Sequence, residues 1–311
     1  MATSNSTNFT QTRNEIIQDA LYYLEVLGSE ETIDPSDLQL CTRALNRIIK
    51  VWAKKGRRLF ATGDAAIFLR NSVATYTLSS TGDHASATYV STTLASAAAS
   101  SASSLTVDST TGMTVGDYIG IELDDDTRQW TTIATLPGSN VITITTPLTG
   151  AAAAANTVYT YTTRLSRPIE ILSATRLNTD SLEKEIKFIS REEYSNLVNK
   201  TVSSDPSLCY VDRQTSITYV SLWATPSNCK DILLIQYKRQ LEDFDNAADN
   251  PDLPVEWLEA LILQLAYNVR KAFGASPQKG RDIAEDLQQA IYDAECSDQE
   301  STPVRMCPDA D

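Results

Sequence analysis

The chain has 311 residues, with 26 Lys and Arg against 40 Asp and Glu, and it is 42% apolar and 21% charged. That length allows one large or two moderate domains with a substantial core, and the composition excludes a wholly disordered chain. The formal charge of -14 is unevenly spread: residues 1–240 hold 24 acids and 21 bases, 241–260 hold seven acids and no base, and 281–311 hold nine acids and two bases. Acid concentrated in the last quarter argues against a non-specific nucleic-acid binder and for a repulsive or partner-directed surface there.

Five cysteines (Cys41, Cys209, Cys229, Cys296 and Cys307) are odd in number and scattered without a C-x-x-C pair. They read as free thiols of a reducing cytosol rather than a disulfide framework or a zinc site. Met1–Thr12 is polar, and no run of about 18 apolar residues occurs, so neither a signal peptide nor a membrane span is expected.

The first helix is announced by a capping box, Thr12 with Glu15, and its apolar face holds Ile16, Ile17, Ala20, Leu21, Leu24 and Leu27, with Gly28 as a left-handed stop. A second follows, capped by Asp34 with Pro35 at its first position, its apolar positions running Leu38, Cys41, Ala44, Leu45, Ile48, Ile49 and Trp52. The short connection predicts an antiparallel pair.

Composition then changes: no lysine occurs from Gly56 to Glu183, and Ser, Thr, Ala and Gly dominate between Ser72 and Thr163. Short β-branched runs there predict strands at Thr75–Leu78, Leu105–Val107, Tyr118–Leu123, Trp130–Ala134, Val141–Thr145 and Val158–Tyr161, separated by turn signals. The alanine-serine run Ala95–Ser104 is linker-like in composition but also compatible with helix. Further strands are predicted at Ile169–Thr175, Glu185–Ile189, Leu208–Val211, Ser216–Trp223 and Ile232–Lys238, with a short helix capped by Ser190 and Glu193. Pro251 and Pro254 bracket the entry to a third long helix with the stripe Trp257, Leu258, Leu261, Ile262, Leu265, Ala266, Val269 and Phe273, and Ser276-Pro277 opens a fourth. The expected fold class is α+β: a four-helix bundle from the two chain ends, a mixed β region, and an inserted all-β domain, a small sandwich or barrel. The expected divisions are residues 1–71 (N-terminal part of the helical body), 72–163 (β insert), 164–296 (mixed region and C-terminal helices) and 297–311 (flexible tail).

Signals for chemistry are sparse. The one histidine, His84, sits in a polar stretch and reads as a solvated loop residue. No phosphate-cradling loop, nucleophile elbow or His-Glu-x-x-His motif is present, so no catalytic residue, cofactor site or metal site is expected. Glu122 with Asp124, Asp125 and Asp126 is the best metal candidate, but the alternation before it favours a solvated hairpin tip. A cationic run is more informative. Arg43, Arg47, Lys50, Lys54, Lys55, Arg57 and Arg58 fall along the second helix and its exit. They form either a solvated face or a surface for an acidic subunit, another copy's acidic tail, or DNA phosphates.

The order of segments resembles the head-to-tail adaptor proteins of short-tailed bacteriophages, called tail tubular protein A or the packaged-DNA-stabilising tail accessory factor. The resemblance rests on the Asp34–Gly56 helix with Ala44-Leu45-Asn46 and Trp52, on Ser190-Arg191-Glu192-Glu193-Tyr194, on Ile217–Pro226, on Tyr237, and on the Ala248–Pro254 approach to Trp257 with Leu265-Ala266 beyond. It covers residues from about 10 to 70 and 165 to 300. It implies a virion neck protein, made in the host cytoplasm, forming a ring of twelve copies between the portal protein and the tail nozzle protein, with genomic DNA passing transiently through its lumen. The large β insert departs from smaller members. Cell-wall hydrolysis, assigned to some accessory factors, is not carried over, because no acid/base pair stands out.

The expectation is therefore a non-enzymatic adaptor ring. Its partner surfaces are Arg43, Arg47, Lys50, Lys54, Arg57 and Arg58, and a tail that orders on the portal through Val304, Arg305 and Met306. The alternative is a virion scaffold whose insert docks tail fibres or binds a host carbohydrate through Trp130, Tyr118 and Tyr89.

Overall fold

The computed structural model describes residues 6, 8–28, 31–54 and 59–298. In chain order it holds α1 (Arg13–Tyr23), α2 (Pro35–Lys54), a 3-10 turn (Leu59–Ala61), then β1 (Thr62–Phe68), β2 (Thr75–Leu78), β3 (Ala85–Ser86), β4 (Val90–Thr93) and β5 (Ser104–Thr106). Next come β6 (Tyr118–Glu122), β7 (Arg128–Gly138), β8 (Val141–Ile144), β9 (Thr157–Tyr161), β10 (Glu170–Leu177), β11 (Glu183–Glu185) and β12 (Lys187–Phe188). The chain closes with α3 (Arg191–Asn196), β13 (Leu208–Arg213), β14 (Thr218–Trp223), β15 (Ile232–Lys238), a 3-10 turn (Val255–Trp257), α4 (Leu258–Val269) and α5 (Pro277–Ser297). Two compact units result, Met1–Thr62 with Gln240–Asp311, and Gly63–Arg239. The sequence divisions at 71/72 and 163/164 fall elsewhere.

The four-helix bundle carrying an insert is overturned as the description of the fold. Fifteen strands in three sheets are found among the described residues. Within the helical unit the arrangement also differs from a bundle, because α4 is buried nearly all round, through Leu258, Ala260–Leu263, Leu265, Ala266 and Val269. Such a helix is a hub, and α1, α2 and α5 each pack on it. By contrast α5 buries only Ile283, Leu287 and Ala294, a narrow stripe that packs on α4 and on the 3-10 turn before it.

Local signals set the helix ends. The Thr12 amide donates to Glu15 Oε2 at 2.7 Å in the capping box, the Ser36 amide donates to Asp34 Oδ1 at 2.8 Å, and the Ser276 side chain accepts from the Lys279 amide. The stop of α1 is not at Gly28. Glu25 takes the left-handed position (φ 57°), with its amide on the Tyr22 carbonyl and the Val26 amide on that of Leu21. That paired closure satisfies the last carbonyls without glycine.

In the β unit, β11-β10-β15-β1-β3 form one sheet and β12-β13-β14-β2 a second. Ile67, Leu69, Tyr76, Leu78, Val220, Leu222, Leu233 and Ile235 share a core. So β2 and β3, inside the expected insert, belong to these sheets: β2 pairs with β14 and β3 with β1. The third sheet runs β4-β9-β6-β7-β8-β5 around Leu94, Leu105, Ile119, Ile121, Ile133, Ile142 and Val158. A bridge between Leu94 and Val107 ties the segments continuing its two edge strands, so the sheet curls on itself and its edges are protected. Ala95–Ser104 is neither helix nor free linker, since Ala98 bridges Ala152.

Candidate interaction surface

The second helix presents its cations on one stripe. At 3.6 residues per turn, Arg43, Arg47, Lys50 and Lys54 fall within about 60° of arc, opposite the buried Cys41, Leu45, Ile48, Ile49 and Trp52. Their surroundings differ. Lys50 Nζ donates to the Leu241 carbonyl at 2.9 Å and pairs with Asp243 Oδ1 at 2.9 Å, so it holds the returning chain. Arg43 has a 3.3 Å bond from Nε to the Gln39 carbonyl of its own helix. Arg47 and Lys54 are exposed and have no polar partner among the described residues. Around them, Leu40, Arg43, Asn46 and Arg47 line one shallow depression, and Arg47, Ile48, Val51, Trp52, Gln264 and Asn268 line another. Val51 is 51% exposed between the cations. The remaining expected positions, Lys55, Arg57, Arg58, Val304, Arg305 and Met306, lie outside the described residues.

Residues from the adaptor-like motifs join the two ends of the chain beneath this face. Asn46 makes a reciprocal pair with Phe244, its Nδ2 donating to the carbonyl at 3.2 Å and its Oδ1 accepting from the amide at 2.9 Å. Trp52 meets Trp257 edge-on with ring centroids 5.4 Å apart. The Asp249 carbonyl accepts from the Arg13 amide at 2.8 Å, while its carboxylate accepts from the Asn246 and Asp245 amides. Those amide bonds, that of Asn246 foremost, hold the Asp249 pKa below its ordinary value.

A groove of opposite charge occurs in the same helical unit. Tyr23, Glu256, Glu259, Leu263, Asp286, Gln289, Ala290 and Asp293 enclose about 360 Å³. Tyr23 Oη donates to Glu259 Oε1 at 2.7 Å. That bond first, then burial and the charges of Glu259, Asp286 and Asp19, push the phenol up to about 12. None of the four carboxylates lining the groove has a cationic partner among the described residues. Sequence reasoning located the acid excess of 241–260 and 281–311. It missed this groove, because Tyr23 and the α4 and α5 acids converge only once α4 acts as the hub.

The β unit settles other candidates. His84 is not a solvated loop residue: its ring stacks on Trp130 at 3.9 Å and 4°, Nδ1 lies 2.5 Å from Tyr161 Oη, and Arg164 approaches Nε2 at 3.4 Å. Burial, then the Arg164 and Arg70 charges, push its pKa down to about 3, so it is neutral. Trp130 also packs on Phe68 at 5.0 Å, and Tyr118 lies between Tyr161 and the Arg164 guanidinium. The faces these two rings offered to a sugar are thus taken by protein groups. Tyr89 instead lines a depression of about 320 Å³ on the five-stranded sheet with Asp64, Ala66, Ala87, Ser173, Glu183 and Gln236.

The acidic hairpin tip is consumed locally. Glu122 is buried, accepts from the Thr157 amide and hydroxyl at 3.1 and 2.7 Å, and pairs with Lys230 at 3.4 Å. Asp124 accepts from the Ala153 amide and Asp125 from that of Thr127. Among the described residues no group of three or more His, Cys, Asp or Glu could hold a metal ion, and no helix is long and apolar enough to cross a membrane.

No family model matches the chain, and no curated protein matches it. Among solved structures it is similar to VP17, a capsid protein of bacteriophage P23-77, at 14% identity, covering 61% of this chain and 77% of that one with a TM-score of 0.12. A likeness at that score carries no argument about this chain's fold or function.

Proposed function

We propose that the chain is a structural virion protein, a head-to-tail adaptor that joins the portal to the tail nozzle of a short-tailed phage and helps to retain packaged DNA. In this reading it works as a homo-oligomeric ring around the DNA path and has no catalytic role. The observation that supports it is the meeting of two motif residues, Trp52 on Trp257, with motif residues Asn46 and Asp249 held by Phe244 and Arg13 beside it: these contacts build one helical body from the two ends of the sequence. Those contacts join segments about 200 residues apart in sequence, and each segment needs the other to complete its hydrogen bonds and packing. The β unit is then a second module whose position in the virion sets its partner.

The test is to mix the purified chain with its portal protein and weigh the product. Several copies bound per portal is the expected result, and a chain that never binds portal overturns the reading.

A second reading keeps carbohydrate binding in the β unit, through Tyr89 and the Asp64–Glu183 depression in place of Trp130 and Tyr118. Its support is one aromatic beside two carboxylates in a mostly apolar hollow. Glycan-array binding by the full chain, lost in Tyr89→Ala, is the expected result; no binding overturns it.

A further inference from the structure

The helical unit carries two surfaces that it leaves unsatisfied. One is the outer face of α2, where Leu40, Arg43, Arg47 and Val51 line open depressions and Arg47 lacks any polar partner among the described residues. The other is the α4–α5 groove, where Glu256, Glu259, Asp286 and Asp293 stand beside Tyr23, Leu263 and Ala290 without a cation among the described residues. On α4, Gln264 and Asn268 border the first surface while Glu259 and Leu263 border the second, and at 100° per residue these pairs point about 140° apart. The two surfaces therefore open on different sides of the hub helix. One copy cannot close its own basic face onto its own acidic groove.

We propose that the α2 face of one copy docks into the α4–α5 groove of a second copy of this chain, head to tail. It rests on the adaptor reading only for the expectation that copies assemble; the pairing itself follows from the two surfaces. Arginine suits this role, since a planar guanidinium takes a carboxylate through two parallel bonds and needs little dehydration. Exposed ion pairs add little individually, so Leu40 and Val51 against Tyr23, Leu263 and Ala290 supply the apolar part of the contact, and the charges select partner and register. Because the two surfaces differ, the contact is heterologous. Each docked copy still offers one free face and one free groove, so growth continues until it closes as a ring or runs on as a filament.

The experiment is sedimentation velocity on the full chain at high concentration in low salt, with circular dichroism as a folding control. Wild type is expected to form species above monomer that dissociate at about 0.5 M salt, where charges are screened within a few ångströms. Arg43→Glu/Arg47→Glu and Asp286→Arg/Asp293→Arg, each alone, are expected to remain folded monomers. Mixed in equal amounts they are expected to regain assembly, since each reversed surface now matches one on the other variant. Wild type that stays monomeric, reversed variants that assemble as wild type does, or a mixture of folded variants that does not recover, each overturns the proposal. Portal binding by the same samples reports separately on the adaptor reading.

Discussion

Charged side chains are used differently in the two units. In Gly63–Arg239, Arg176 is buried and reaches both Asp231 (3.0 Å) and Asp205 (2.5 Å), Glu122 holds Lys230, and Glu170 holds Lys238 at 3.0 Å. In the helical unit, Arg47, Lys54, Glu256 and Asp286 find no partner among the described residues. Charges of the first kind hold segments together, because a buried ion without its counter-ion is far more costly than an exposed one. Those of the second kind contribute little to folding, and even repel their neighbours on α2. In the proposed docking they meet the charges of a second copy.

That contrast can be broken most sharply at Arg176. Arg176→Met leaves Asp231 buried without its cation, and burial already raises the Asp231 pKa against the pull of Arg176. The loss expected by urea unfolding is about 3–5 kcal/mol, and a loss no larger than that of an α2 surface variant would erase the distinction. Next comes Gly120, which faces Trp130 across β6 and β7. A Cβ there would meet the indole at 2.7 Å, so Gly120→Ala is expected to cost about 1–3 kcal/mol, read as a lowered unfolding midpoint.

A third effect is pH-dependent. His84 titrates near 6.5 when unfolded and at about 3 when folded, so the unfolded chain binds the extra proton between those values. The stability held by the neutral ring is complete above pH 6.5 and declines as pH falls toward 3. The slope is at most about 1.4 kcal/mol per pH unit and smaller for a half-buried ring. It is best read between pH 5 and 6.5, above most carboxylates. His84→Phe, which keeps an aromatic on Trp130, is expected to flatten it; an unchanged slope would reject the assignment. The smallest effect belongs to Arg47→Gln: stability within about 0.5 kcal/mol of wild type, yet weakened self-association.

What was legible in the sequence was local. The caps at Thr12, Asp34, Ser190 and Ser276 need only residues within a turn, and all four operate. Strands such as Thr75–Leu78 and Ile232–Lys238 announce themselves by alternation and β-branching. Illegible features depend on distant partners. Residues Thr62–Phe68 are a strand because β15 and β3 flank them, although the run contains Gly63, Ala65 and Ala66 and lacks a strand-like alternation. His84 is stacked and neutral because Trp130 and Tyr161 arrive from β7 and β9. For the candidate surface, the α2 stripe was readable from spacing alone. That Lys50 is engaged by Asp243 while Arg47 has no polar partner among the described residues, and that a carboxylate groove forms between α4 and α5, came only with the three-dimensional arrangement.

The adaptor role is tested most directly by electron microscopy of the assembled particle, fitting this chain's three-sheet outline to the density. The account expects a ring of copies at the neck between portal and nozzle, with the α2 face of each copy on the α4–α5 groove of its neighbour. Copies located in the capsid shell, or a particle lacking the chain, would contradict it.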